Sequence, residues 1–422
     1  MIRDAEIENI IRLYSTPVFE AAGLNPKAIK LYLVNDPSLN AFVAGGQNMF
    51  INTGLLLQSS DPGEVIGVIA HETGHIAGGH LARQHEALAQ TAAASILSMI
   101  LGGAAVLAGA GEAGAAVMAG GQNMAQRNFL AYSRSHEASA DQAAMTYLDR
   151  TGQSAAGLKS FMKKLENQEL LYAANQDPYL LTHPLTKERI DAISAFVERS
   201  PNSKKPWDPK LIEMHARMKA KLVGYMTPGL VNRTYKRDDN SLPARYARAI
   251  ALYRGGNMDG FVPAIDALIA DYPKDPFFHE VRGQGLWENG RAEEALVSYT
   301  KAVELLPDSD LLRRDLSRVQ VAIGRPDLIE KAIENLKVVT HNDRFSAGAL
   351  QELGNAYYKK GDEPRARLYH ADAAFLRGEM DKAIYNGEVA SRAFREGSAE
   401  WLRAKDIVNA AQLHKKKKEQ GR

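Results

Sequence analysis

His71-Glu72-Thr73-Gly74-His75 places two imidazoles and a carboxylate at the spacing that zinc-dependent peptide hydrolysis requires. On a helix, residues four apart lie one turn above each other, so His71 and His75 can point two nitrogens at one metal ion. Glu72 stands about 100° round from His71, near enough to reach a water beside the metal without ligating the metal itself. Zinc makes such a water acidic near neutral pH, and a neighbouring carboxylate can collect its proton as attack begins.

The pair must sit on a helix, and the flanking residues build one. In Ser59-Ser60-Asp61-Pro62, Asp61 is placed as N-cap and Pro62 as first helical residue, with Glu64 closing a capping box. Val65, Ile66, Val68 and Ile69 make this helix apolar, as a buried metal-bearing helix should be. Two imidazoles do not complete a catalytic zinc site, so a third ligand must come from elsewhere. His80 lies nine residues after His71, which turns it about 180° away on a continuous helix. Gly78 fits the pattern His-Glu-x-x-His-x-x-Gly-x-x-His, but the last position is Leu81, so that arrangement is out. Glu137 and Asp141 are better placed, because residues four apart share one helix face. One carboxylate can bind zinc while the other accepts a ligand histidine's second N–H. His136 is an alternative ligand, although Ala140 stands where an acidic partner one turn on would be needed.

With His71–His75 followed by Glu137-x-x-x-Asp141, the chain resembles the zinc peptidases that include HtpX, the CAAX prenyl proteases and the periplasmic BepA-type enzymes. Further residues are similar to the BepA-like branch: Ile2–Glu8, Ala22-Gly23-Leu24, Asn40-Ala41-Phe42, Gly45-Gly46, Asn52–Leu56, and Thr182-His183-Pro184 with Arg189-Ile190. The resemblance covers about residues 1–200 by motif and the remainder by architecture. It implies an α+β gluzincin-like metalloprotease domain followed by an all-α tetratricopeptide-repeat solenoid. It also implies one zinc per chain held by His71, His75 and Glu137, with Glu72 as base and Asp141 bracing a ligand from behind. A periplasmic location, docking on the outer-membrane β-barrel assembly machinery, and unfolded or misassembled proteins as substrates follow from the same resemblance.

Other segments must complete the cleft. Ile29–Val34 alternates and is rich in β-formers, Ala41–Ala44 leads into a Gly45-Gly46 turn, and Met49–Asn52 returns toward the metal helix. An edge strand there can accept an extended substrate as a further strand. His183, before Pro184, sits at a turn or helix start. It can stabilise the oxyanion of an attacked carbonyl with Arg189 assisting, close the zinc as a fourth ligand that keeps the enzyme latent, or serve only the local turn. Residues 87–111 carry no charge, yet they are mostly Ala and Gly, which add little membrane-insertion energy. They are read as part of a small-residue helical hairpin at about 87–125, with peripheral membrane contact through 87–121 as a role and a true span as the alternative.

After a polar break at Ser200–Pro206 the chain becomes helical and repetitive. Pro273 and Pro307 are 34 apart, the tetratricopeptide period, and Gly283, Leu286, Gly290, Ala295, Tyr299 and Ala302 fall on its packing positions. Leu353-Gly354, Tyr357, Gly361, Ala366 and Ala373 repeat the arrangement. The organisation expected is a protease domain at 1–200, linker helices at 201–240, repeats at 241–412 and a basic disordered tail at 413–422.

Composition narrows the function. Lys and Arg number 52 against 50 Asp and Glu and are interspersed, which argues against nucleic acid as a partner. Cys is absent, which excludes disulfides and thiolate zinc sites. Met1 runs straight into an acidic amphipathic helix with no secretory leader ahead of it, unlike exported members of the family, so periplasm rests on the resemblance. Two functions remain: a zinc endopeptidase clearing clients recruited by its repeats, or an assembly factor and chaperone whose protease site is mostly latent.

Overall fold

The computed structural model describes residues 1–81, 83, 99, 119, 133–171 and 183–420. The hairpin expected at 87–125 lies outside them, apart from two isolated positions. Two compact units divide the chain, Met1–Thr227 and Pro228–Arg422.

The first unit is built around one buried helix. Helix α1 (Ala5–Ala21) starts at Asp4, whose side chain accepts from the Ile7 amide, and buries Ile7, Ile10, Ile11, Tyr14, Val18 and Phe19. Strands β1 (Lys30–Val34), β2 (Ala41–Ala44) and β3 (Asn48–Asn52) form a sheet in the order β1-β3-β2. β1 runs parallel to β3, with Tyr32 opposite Phe50, and β2 runs antiparallel, with Phe42 opposite the same Phe50. Those three rings stack across one face, with centroids 5.0 and 4.9 Å apart. Gly45 and Gly46 turn the hairpin at φ 56° and 92°, values that L side chains rarely adopt. Ile2 bridges to Leu33 on the outer side of β1, while β3 is the one strand partner of β2 among the described residues.

A short helix, α2 (Thr53–Gln58), leads to α3 (Pro62–Ala77). Asp61 caps α3 as its sequence requires, accepting from the Gly63 and Glu64 amides at 2.7 and 3.2 Å. Glu64 reaches back to the Ser60 amide, one residue before the cap, and is held by Ser160 and Lys164. Every residue of α3 from Pro62 to His75 is buried, because α1, β2 and two later helices pack around it. These are α5 (Ala156–Leu171) and α7 (Pro209–Met226); between them in the chain lies α6 (Lys187–Arg199), and α4 (133–150) precedes α5. Glycine makes the closest crossing possible. A Cβ on Gly157 of α5 would lie 2.1 Å from the Gly63 carbonyl carbon, and one on Gly67 would lie 2.7 Å from the Leu158 nitrogen. Met218 and Leu222 of α7 belong to the same core, so the first unit runs on to Thr227, through much of the stretch read from sequence as linker.

The regular elements of the second unit among its described residues are all helices, from Pro228–Leu230 and Val231–Thr234 to Ala399–Gln420, and neighbours in sequence pack on one another. The small residues do what their positions demand. A Cβ on Gly283 would meet the Tyr299 ring at 2.9 Å, and Ala295 and Ala302 are fully buried. The basic run Lys415–Lys418 continues the last helix to Gln420 rather than forming a loose tail. No helix among the described residues is long and apolar enough to cross a membrane.

The α3–α5 crossing yields a direct test. Gly157→Ala forces two backbones apart and should destabilise the first unit by about 1–3 kcal/mol, the usual range for overpacking. Urea unfolding followed by circular dichroism checks it, and an unchanged midpoint would refute the close crossing.

Candidate metal centre

Three helices and one turn bring the candidate residues together. α3 carries His71, Glu72 and His75; α4 carries Glu137 and Asp141; His183 precedes α6, which carries Arg189. Gly74 sets the approach of α4. A Cβ there would lie 2.8 Å from the Ala140 carbonyl oxygen and 2.9 Å from its Cα, so backbone rests on backbone between the two histidines.

The result is a buried group of four, His71, His75, Glu137 and His183, whose donor atoms all lie within 4.8 Å of one another. His71 Nε2 is 3.1 Å from His75 Nε2 and 3.4 Å from Glu137 Oε2, while His75 Nε2 is 3.3 Å from Glu137 Oε1. His183 Nδ1 stands 3.1 and 3.2 Å from the two Glu137 oxygens and 3.4 Å from His71 Nε2. Ligands held tetrahedrally at about 2.0–2.1 Å from zinc are separated by roughly 3.3–3.4 Å. The spacings fit that figure, and the donor set of imidazoles with one carboxylate suits such an ion.

Behind the group, Asp141 Oδ1 accepts from His71 Nδ1 at 2.8 Å, which turns the lone pair of Nε2 inward. Burial works against a charge on His71, but bonds to Asp141 and Glu137 outweigh it and push it up to about 10. Burial also opposes ionisation of Glu137, yet bonds from His183, His71 and His75 hold its carboxyl well below the ordinary range. His75, by contrast, is lowered to about 3, chiefly by burial. The carboxylates therefore draw positive charge into this pocket.

Glu72 differs from its neighbours. It is fully buried, and neither carboxylate oxygen accepts a hydrogen bond among the described residues. His183 Nε2 stands 3.5 Å from its Oε1, and burial raises the Glu72 carboxyl above its usual value. An unsatisfied acceptor in such a place is aimed at something that donates, as a reacting water does.

Arg189 is in the cluster but in another posture than the sequence suggests. Its Nε and Nη2 donate to Asp141 at 2.6 and 3.0 Å, and its Nη1 donates to the Pro184 carbonyl at 2.8 Å and lies 3.0 Å from Glu137. The guanidinium ties the His183 turn to α4. His136, the alternative ligand, is outside the group of four and stacks on His80 with centroids 4.2 Å apart. His80 is the residue that helical geometry misplaced. α3 stops at Ala77, and Gly79 at φ 62° turns the chain back, so His80 Nδ1 comes within 3.0 Å of His75 Nδ1. The signal was the Gly78-Gly79 pair, which marks a helix end.

This geometry suits a metalloprotease. Residues 2–197 match the model of Peptidase family M48, and the regular elements described beyond them are helices. It is 24% identical over 380 residues to the beta-barrel assembly-enhancing protease of Yersinia pestis, covering 88% of this chain and 76% of that protein. The protein of the same name from Escherichia coli (strain K12) is 24% identical over 381 residues, with the same coverage. The putative beta-barrel assembly-enhancing protease of Vibrio cholerae is 26% identical over 373 residues, covering 87% of this chain and 76% of its own.

Gly74→Ala should drive α4 away from α3 and loosen the cluster without touching a polar side chain. Metal retained after dialysis should fall several-fold while the far-ultraviolet circular dichroism is kept. Full metal content in the variant would refute the role given to this contact.

Proposed function

We propose that the chain is a zinc endopeptidase of the gluzincin type that cleaves unfolded or misassembled proteins, with its helical region a tetratricopeptide-repeat solenoid that recruits clients and partners. His71, His75 and Glu137 are the ligands and Glu72 the general base. The observation that carries this reading is the convergence of four buried donor groups beside a carboxylate that accepts no hydrogen bond among the described residues.

Zinc, when bound, supplies Lewis-acid polarisation and an acidified water. The chain supplies the rest. Asp141 holds the His71 tautomer, and Arg189 holds Asp141. A Glu72 oxygen takes a proton from the attacking water and returns it to the leaving amine, work suited to a carboxyl whose burial brings it nearer neutrality. β2 is adjacent to α3 and has one free edge among the described strands, so an extended substrate can pair with it through main-chain hydrogen bonds. The names of the relatives favour β-barrel proteins and their assembly machinery as clients and partners, and the resemblance to the BepA-type enzymes adds the outer membrane and the periplasm.

Glu72→Gln tests the reading. Cleavage of an unfolded protein should drop by about 10²–10⁴-fold while one metal ion per chain is kept. A variant that cuts at the parental rate would end the assignment of Glu72.

One observation favours the alternative of a largely latent site serving an assembly factor or chaperone. His183 Nδ1 is inside the ligand group, where a fourth protein donor closes a zinc that catalysis needs open. His183→Ala separates the cases. Cleavage should rise if His183 is a latch, and should fall tenfold or more if it stabilises the oxyanion.

A further inference from the structure

The two histidines of α3 are backed differently. His71 gives its outer nitrogen to the Asp141 carboxylate, whereas the outer nitrogen of His75 meets another imidazole, His80, Nδ1 to Nδ1 at 3.0 Å. His80 is buried, only 5% exposed, and its ring lies flat on His136, with 14° between the planes. Gly78 explains how the ring fits. Its φ of −73° is ordinary helical backbone, so conformation does not call for glycine there. Space does. A Cβ at position 78 would lie 2.4 Å from His80 Nε2 and 2.8 Å from its Cδ2. A side chain at 78 and the observed seat of the His80 ring exclude each other.

We propose that His80 is a positioning residue for the metal site: its Nδ1 accepts the Nδ1 proton of His75, fixes that ring's tautomer and plane, and keeps Nε2 free for the ion, with Gly78 reserving the room and His136 supporting the ring. The chemistry follows from where the lone pairs must be. His75 Nε2 faces His71 and Glu137, so as a ligand it carries its proton on Nδ1. That proton needs an acceptor, and His80 Nδ1 is the one it meets among the described residues. His80 then carries its own proton on Nε2. A neutral acceptor lends less negative charge than a carboxylate, so His75 is held as the weaker donor of the pair. The inference rests on the reading of His75 as a ligand.

The experiment measures Zn2+ affinity of the full chain by competition with a chromogenic chelator. His80→Phe keeps the ring volume and the stacking but removes the acceptor, whereas His80→Asn puts an amide oxygen near the place of Nδ1. Phe should weaken binding by about 10–100-fold, the range for losing a ligand's outer partner, and Asn should recover most of it. If packing alone mattered the order would reverse, with Phe near wild type and Asn impaired, and the proposal would fall. Gly78→Ala should also weaken binding, yet add nothing to His80→Ala, because that variant has no ring to displace. Additive losses would count against the proposal. Thermal melts of each variant separate misfolding from ligand loss. Wild-type protein that takes up no zinc would overturn the ligand reading and this inference together. Normal uptake with equal affinity in wild type and His80→Phe would overturn this inference alone.

Discussion

Backbone contact at glycine is the constraint on which this site depends. A helix bearing two imidazoles and a carboxylate can be buried on every side only if its neighbours come closer than side chains allow. Gly74 admits the Ala140 backbone, Gly67 admits the α5 backbone at Leu158, and Gly157 of α5 admits the α3 backbone at Gly63. The first contact puts Glu137 and Asp141 over His71; the second fixes the end of α3 farthest from the cluster. With a methyl group at any of these points, the site would be made of the same residues in the wrong places.

Burial then sets the electrostatic problem. Glu72, Glu137 and Asp141 are all at most 3% exposed, and three carboxylates in a low-dielectric pocket are costly unless balanced. Arg189 supplies one fixed positive charge, bonded to Asp141 and beside Glu137. A divalent cation held among the imidazoles would supply two more and bring the set to neutrality. That balance also explains why Glu72 can be left without a hydrogen bond among the described residues. Its charge is offset by the cluster, while its oxygens stay free for a substrate water.

Much of this was legible in the chain because it is local. The cap at Asp61, the apolar run from Val65, the i, i+4 histidines and the Gly45-Gly46 turn each follow from neighbours in sequence, and each stands where expected. Glu137 with Asp141 was legible as a helical pair, though only the packing at Gly74 shows why it reaches α3. His80 was not legible, because the rotation that excludes it assumes a helix continuing past Ala77, and Gly79 ends that assumption. Arg189 was legible only in part: an arginine near a catalytic site suits an oxyanion on sequence, and only the fold shows which carboxylates it also holds. α7 gave no sign that Met218 and Leu222 belong to the first core, since an amphipathic helix does not name its partner.

The proposed chemistry carries a consequence for selectivity. A strand edge that reads main-chain amides accepts almost any extended polypeptide and rejects folded ones, whose backbones are already paired. Such a site discriminates by conformation rather than by residue, which suits unfolded clients but gives no protection to a correct partner that is briefly extended. Restraint then has to come from the site itself or from what delivers the chain to it. His183, at once within the ligand group and next to Glu72, is placed to provide the first kind. Its turn is tied by Arg189 through the Pro184 carbonyl to the same Asp141 that braces His71. Moving that turn would therefore strain the support of a metal ligand. On the reading of His183 as a latch, opening the site and holding an ion would be coupled through a single carboxylate, and a substrate displacing His183 would need enough binding energy to leave Asp141 in place.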